Sequence, residues 1–359
     1  MQDASLAFAE PPEAGQDLRG LHYPFARWIP EPGKLHPVAD GVFWLRMPLP
    51  FSLNHINLWV LDDGDGWAIV DTGLAAPACK DVWRGLFAGP MAGRPVTRVI
   101  VTHYHPDHLG LAGWLTRKWD VPLEMARAEF LLARVLTLDV AEAPPSAAIG
   151  FYARSGWSDE AVARFKAQSW GRFATAVSTL PLGYSRLADD DRLTIGARVW
   201  RVVTGSGHSP EHVCLVCDEA GVMISGDQVL PRITSNVSVY PTEPLADPLG
   251  EWFASLDKLD KLDAGLRVLP AHNEPFERLH VRTEQLRADH MRKLETLEVA
   301  LAAGPRTTVE CFDAVFGRAI RPDEMMMATG EALAHLRWLE RKGRIARSTD
   351  GPADRFVRI

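Results

Sequence analysis

Three imidazoles and a carboxylate fall within six positions of this chain, His103-Tyr104-His105-Pro106-Asp107-His108. Neutral imidazole suits zinc, iron or nickel, and a carboxylate adds charge neutralisation, so these residue types fit a transition-metal site. Three imidazoles this close repel one another on protonation, which a merely polar loop does not explain. His103 and His105, two apart, point to one side of an extended backbone. Asp107 and His108 stand where a helix over 109–115 begins, with Pro106 fixing the backbone at the turn into it. The stretch therefore offers two adjacent sets of ligands.

The apolar run Arg98-Val99-Ile100-Val101 before it reads as a buried strand, and other strands end in the same way. Segments 41–48, 56–61 and 66–71 read as strands, the last two flanking the hairpin composition Asp62-Asp63-Gly64-Asp65-Gly66. Asp71-Thr72-Gly73 follows the third of these. A helix is expected over 77–87 and a strand over 97–102. Further strands within 193–204 and over 212–217, 222–225 and 267–270 deliver His208, Asp227 and His272 at their ends. Strands interleaved with helices, with polar groups in the loops at strand ends, indicate a mixed α/β layered domain.

Three segments differ from this pattern. Residues 1–35 contain Pro11, Pro12, Pro24, Pro30 and Pro32 and read as an extended or loosely packed N-terminal arm. Residues 124–185 read as helices over 126–138 and 159–174, rich in aromatics, either flanking the domain or capping the site. Residues 276–359 read as helices over 278–303, 308–316 and 323–342 followed by a hairpin, a small winged-helix-like domain. The catalytic domain is thus expected over 36–275, with 124–185 as a helical insertion.

Composition narrows the partners. The net charge of −7 gives no pull toward nucleic acid or an anionic membrane. The C-terminal segment from residue 276 carries 15 Lys and Arg against 13 Asp and Glu, too weak an excess to argue for a polyanion. It is read as a dimerisation or core-covering module, a homodimer being one outcome. Four cysteines do not make a disulfide framework, and Cys214-Leu215-Val216-Cys217 lies in a strand whose i and i+3 positions face opposite sides, so it reads as core packing. No signal peptide and no run of about 18 apolar residues is visible, so the cytoplasm is the default location and no membrane span is expected.

The strand-end residues, taken in order as DTG (71–73), HYHPDH (103–108), GSGHS (205–209), SGD (225–227) and AH (271–272), resemble the five motifs of the metallo-β-lactamase-fold hydrolase superfamily. The resemblance covers residues 40–275 and implies an αββα sandwich with a dinuclear centre at one edge. It implies one metal on His103, His105 and His208, a second on Asp107, His108 and His272, Asp227 bridging them, and Asp71 orienting a ligand from behind. His105 stands where the redox flavodiiron branch has Glu, and Asp227 where the best-known true β-lactamases have Cys or no bridge. The pattern is similar to the glyoxalase II, lactonase and ribonuclease Z side, and the tail resembles that of the β-lactamase-like protein 2 group. In this sequence Asn273 stands where Gly is usual.

The resemblance implies a hydrolase in which two divalent ions, zinc first with iron or manganese as alternatives, share a hydroxide. Asp107 and Asp227 orient that nucleophile and take its proton. The expected substrate is a small-molecule thioester or related acyl ester, of acyl-CoA, glutathione thioester or lactone type. The alternative is a metal-dependent phosphodiesterase or endoribonuclease. Tyr104, His212 and Tyr240, near the motifs, are candidates for substrate contact.

Overall fold

The computed structural model describes residue 11 and residues 14–50 and 53–359. Strands β1 (Gln16–Leu18) and β2 (Leu21–Tyr23) form an antiparallel hairpin turning on Arg19 and Gly20. Seven strands then lie in sequence order in one sheet: β3 (Leu35–Ala39), β4 (Val42–Pro48), β5 (His55–Asp63), β6 (Gly66–Val70), β7 (Val96–Val101), β8 (Leu123–Ala126) and β9 (Ser185–Leu187). Pairing is antiparallel from β3 to β6 and parallel from β6 to β9. Its parallel crossovers carry the helices α1 (Pro77–Ala88), α2 (Pro106–Leu109), α3 (Ala112–Trp119), α4 (Arg127–Leu138), α5 (Ser146–Arg154), α6 (Asp159–Lys166) and α7 (Phe173–Ala176).

The second sheet has five strands, β10 (Arg192–Ile195), β11 (Arg198–Gly205), β12 (His212–Cys217), β13 (Val222–Gly226) and β14 (Arg267–Pro270), with only β13 and β14 parallel. Helix α8 (Pro248–Leu259) makes that parallel crossover. The chain closes with α9 (Leu279–Ala302), a single turn at Val309–Cys311, α10 (Phe312–Phe316), α11 (Met325–Arg341) and the hairpin β15 (Ile345–Ser348) and β16 (Arg355–Arg358).

Strand alternation sorts the side chains into three cores. Between the sheets, Trp44, Trp59, Val70 and Ile100 meet Trp200, Val202, Leu215 and Ile224. Outside the first sheet, Leu58, Ile69 and Val99 pack on Trp83 of α1, Leu115 of α3 and Phe130 of α4. Outside the second, Val203, Val216 and Met223 pack on Trp252 of α8, Leu294 of α9 and Leu336 of α11. The result is the expected αββα sandwich. Cys217 belongs to the inner core and Cys214 to the outer one, both buried and unpaired, as core packing requires.

Four expectations need correction. Residues 1–10 and 12–13 of the N-terminal arm lie outside the described residues, but 14–35 are docked: Leu21 and Tyr23 are buried in the outer core, and His22 bridges Glu277. The insertion does not consist of helices alone, because its two ends are strands β8 and β9 of the larger sheet. Within it, the helix expected over 159–174 stops at Lys166. Gly171 turns at φ +86° where a Cβ would come within 2.5 Å of Asp139 O, and Trp170 donates from Nε1 to Asp139, which a continuous helix could not do. The strand expected within 193–204 is β11, which β10 precedes across a turn at Gly196 (φ +58°), and α8 was unanticipated, although Asp247 caps it at Gly250 N ahead of Pro248. The C-terminal elements follow the expected helix and hairpin order, but α9 and α11 share a core with the second sheet instead of enclosing one of their own.

One packing detail carries a pH prediction. Between α9 and α11, His335 donates from Nδ1 to Glu331 O (2.8 Å), so its Nε2 accepts from His290 Nδ1 at 3.1 Å. His290 Nε2 is then bare, buried and unpartnered. Burial, with His335 and Lys293 adding, holds His290 well below its ordinary pKa; burial likewise lowers His335 against the opposing pull of Glu331 and Asp289. A histidine with a folded pKa below its unfolded value of about 6.5 stabilises the fold above that pH and loses this contribution as pH falls. Thermal melts at about pH 7.5 and about pH 5.5 are expected to show a stability loss of up to about 1.4 kcal/mol per unit and per histidine below pH 6.5. In His335→Gln the loss should be smaller; an equal loss would exclude this pair as its source.

Candidate metal centre

Five strands of the two sheets end at one edge of the sandwich, and the loops leaving them converge. Asp71 follows β6, residues 103–108 follow β7, His208 follows β11, Asp227 follows β13 and His272 follows β14. His103 Nε2 lies 2.8 Å from His105 Nδ1 and 3.2 Å from His208 Nε2, and Asp227 Oδ2 lies 3.4 Å from His208 Nε2. On the other side, Asp107 Oδ2 is 3.8 Å from His108 Nε2 and 3.5 Å from His272 Nε2. Asp227 Oδ1 stands 3.6 Å from His108 Nε2 and 3.4 Å from His272 Nε2, so this one carboxylate faces both sets.

Two observations test whether cations fit here. His108 Nε2 and Asp227 Oδ1 are buried without a hydrogen-bond partner, an arrangement that costs free energy unless something else satisfies them. The ligand atoms of each set, His103, His105, His208 and Asp227 on one side and Asp107, His108 and His272 on the other, lie within 4.8 Å of one another. Imidazole nitrogen and carboxylate oxygen are the donors that divalent transition metals take, and the residues fit them.

The atoms behind the cluster fix which nitrogen faces it. His108 Nδ1 is 2.7 Å from Asp71 Oδ2, His208 Nδ1 2.8 Å from Asn236 O, and His272 Nδ1 2.9 Å from His55 O. Each of these oxygens accepts the Nδ1 proton, which leaves the Nε2 lone pair toward the cluster. Asp71 itself, at φ +61°, accepts from Thr102 N at 2.8 Å and from Thr102 Oγ1 at 2.9 Å. Asn273 also turns at positive φ, +67°, a conformation that Asn tolerates where Gly is usual, and its N–H donates to His55 Nε2 at 3.0 Å. Asn57 ties the same loop down from Nδ2, donating to Pro270 O and Asn273 O.

Electrostatics leave His103, His105, Asp107 and Asp227 in their ligand forms. Against their burial, however, Asp71, Asp107 and Asp227 raise His108 well above its ordinary pKa and Asp227 and Asp107 raise His272, so at these two rings a cation competes with a proton. Burial, with His108 and His105 adding, keeps His103 well below its ordinary pKa, and burial and His208 bring His105 to about 3. For Asp107 burial acts upward, but His108 and His272 outweigh it and bring the carboxyl to about 2. His272 and His108 likewise hold Asp227 well below the carboxylate range against its burial.

The three candidate contact residues separate. Tyr104 and Tyr240 both line a cavity of about 200 Å³ that opens beside His208, Tyr104 being 7% and Tyr240 40% exposed. His212 does not face it. Fully buried, it lies beneath His103, ring centroids 4.8 Å apart, and accepts the Asp227 N–H at Nε2 (3.1 Å). Its β12 position points it under the loop after β13, so substrate contact is withdrawn for it; it braces Asp227.

Glu129, in the first turn of α4, went unnoticed in the sequence. Wholly buried, it accepts from Tyr104 N (2.9 Å), Ser209 Oγ (2.7 Å) and Glu211 N (2.7 Å), and so ties the loop of His103 and His105 to the loop of His208. An acid between Ala128 and Phe130 on an apolar helix face was the available signal, but nothing in the sequence named its partners.

With this geometry in hand, likeness to known proteins can be read. Residues 52–272 match the family described as the metallo-beta-lactamase superfamily, and residues 294–359 match its metallo-beta-lactamase-like C-terminal domain. A crystal structure of a beta-lactamase domain protein from Burkholderia ambifaria superposes with a TM-score of 0.87 at 42% identity, covering 94% of this chain and 98% of that one. The probable metallo-hydrolase YqjP of Bacillus subtilis is 22% identical over 325 residues, 87% of this chain and 96% of that protein. The acyl-coenzyme A thioesterase MBLAC2 of Gallus gallus is 29% identical over 253 residues, 68% of this chain and 82% of that protein. The chain belongs to the metallo-beta-lactamase superfamily and is a hydrolase of that fold.

Proposed function

We propose that the chain hydrolyses an acyl thioester or related acyl ester, using two divalent cations held at this cluster. The observation that carries the reading is the double ligand set sharing Asp227, with His108 Nε2 and Asp227 Oδ1 buried and unpartnered. His103, His105 and His208 would hold one cation, and Asp107, His108 and His272 the other, with zinc first and iron or manganese as alternatives. When bound, such cations supply Lewis acidity and lower the pKa of a water toward neutrality.

The chain's own residues do the rest. Asp107 and Asp227, both ionised, accept from the attacking water, orient it toward the carbonyl carbon and take its proton. Asp71, Asn236 O and His55 O keep the imidazoles in one tautomer and one orientation through the reaction. No Ser or Cys nucleophile is needed, and all four cysteines are buried. Their unpaired state also supports a cytoplasmic location, and no helix among the described residues is long and apolar enough to cross a membrane.

The acyl reading draws on the thioesterase relative, and a second feature weighs against phosphodiester substrates. The tail arginines are engaged within the chain: Arg337 with Glu340, Arg341 with Asp247, Arg344 with Glu298, and Arg347 with Glu340 and Asp354. Paired guanidinium groups do not provide the concentrated phosphate contacts that nucleic-acid binding requires. A panel of acyl-CoA, glutathione thioester, lactone and bis(p-nitrophenyl) phosphate substrates tests the choice. Turnover of an acyl substrate is expected, and cleavage of the phosphodiester alone would overturn the proposal.

A further inference from the structure

The cavity beside His208 does not end there. It shares Tyr104, Leu132, Tyr240 and Thr242 with a second chamber of about 370 Å³ running under the insertion, within the size range of small-molecule sites. Leu132 and Leu136 of α4 form one wall, Tyr152 of α5 and Phe165 of α6 lie deep in it, and Met326 and Met327 at the start of α11 face them across the opening.

We propose that this chamber takes the hydrocarbon chain of the acyl group, which extends from the cluster past Tyr104 and Tyr240 into the insertion. The inference rests on the reading of the cluster as an acyl-ester hydrolase and adds the nature of the acyl arm. The character of the walls argues for it. Tyr152 and Phe165, 6% and 5% exposed, are closed over by their neighbours, whereas Asp139 and Arg172, the charged residues that line the chamber among those described, are exposed at its rim. Asp139 is moreover occupied by Trp170 Nε1 at 2.7 Å. A carrier bearing phosphates or a peptide thiol would find no buried charge to pair with there, while a saturated chain gains from every methylene removed from water.

The methionines point the same way. Met326 and Met327 are 43% and 60% exposed, which leaves two large apolar side chains facing water at the open end. Unbranched thioethers adapt to partners of varied length and are used where a surface must fit flexible apolar ligands. Aromatics at the closed end and methionines at the open one give a chamber with a fixed floor and a yielding lid, suited to a linear chain.

Straight-chain thioesters of N-acetylcysteamine, a small neutral thiol, from acetyl to dodecanoyl, test this on the metal-loaded full chain. kcat/KM is expected to rise by up to about fourfold per methylene until the chamber is filled. Leu136→Trp, which places an indole in the chamber, should lower the ratio of dodecanoyl to acetyl kcat/KM by about tenfold or more. Calorimetric titration with dodecanoate, a reading independent of turnover, should show binding to the wild-type chain that Leu136→Trp weakens, with acetate giving none. Acetyl turnover with a flat chain-length profile and no dodecanoate binding would overturn the chamber while sparing the hydrolase. Dodecanoate binding that Leu136→Trp weakens, without turnover of any acyl substrate, would support the chamber and overturn the acyl-ester reading.

Discussion

Replacing His103 and His105 together by alanine is expected to remove one of the two bound cations and all turnover in a single step while leaving the sandwich folded. Both rings belong to one ligand set, and Asp227 and His208 alone cannot hold a cation in the geometry that four donors define. The accompanying fall in activity should reach the uncatalysed background, a loss of about 10⁶-fold or more at the low end of enzymatic accelerations. The fold should survive, because the substitution touches none of the three apolar cores. Elemental content, far-ultraviolet circular dichroism and turnover on the same preparation check the three parts. Activity retained by this variant would refute the role given to the cluster.

Asp71→Asn should act on the other ligand set by a subtler route. The carboxylate accepts the Nδ1 proton of His108 at 2.7 Å and the backbone N–H of Thr102 at 2.8 Å. Asn keeps the shape and tolerates the +61° φ, so the loop after β6 need not rearrange. With its oxygen on Thr102 N, however, its amide N–H₂ faces His108 Nδ1, which must then give up its proton. His108 would take the tautomer protonated at Nε2, the atom aimed at the cluster, and could not coordinate. Metal affinity is expected to fall by about 10-fold to 100-fold with little change in melting temperature. Competition against a chromogenic chelator reads this directly, and an unchanged affinity would show that Asp71 does not set the tautomer.

Legibility in the sequence followed the physics of each feature. The ligands could be read because they sit in short loops at the ends of strongly apolar strands, where the local pattern alone says that the chain must turn and present polar groups. All the histidines and carboxylates named for the cluster are brought together there. The tail's helices could likewise be read from their periodicity. His212 misled because proximity to a motif does not reveal which side of a strand faces the cavity, and in β12 it points under the Asp227 loop. Glu129 and Asn57 went unread because their partners lie 25 to 82 and 213 to 216 positions away. Strands β8 and β9, four and three residues long, were absorbed into the insertion because segments so short carry no period to detect. The chamber has no local signature, since its walls come from α4, α5, α6, the loop at 240–242 and α11 and meet only in the folded chain.

The most direct test of the central claim is titration of metal-free chain with zinc while the hydrolysis of a decanoyl thioester is followed. Activity should be absent at the start, should rise with added zinc and should level off near two equivalents per chain, in step with the two ligand sets that share Asp227. Full turnover by the metal-free chain, or saturation of activity at a single equivalent, would contradict it.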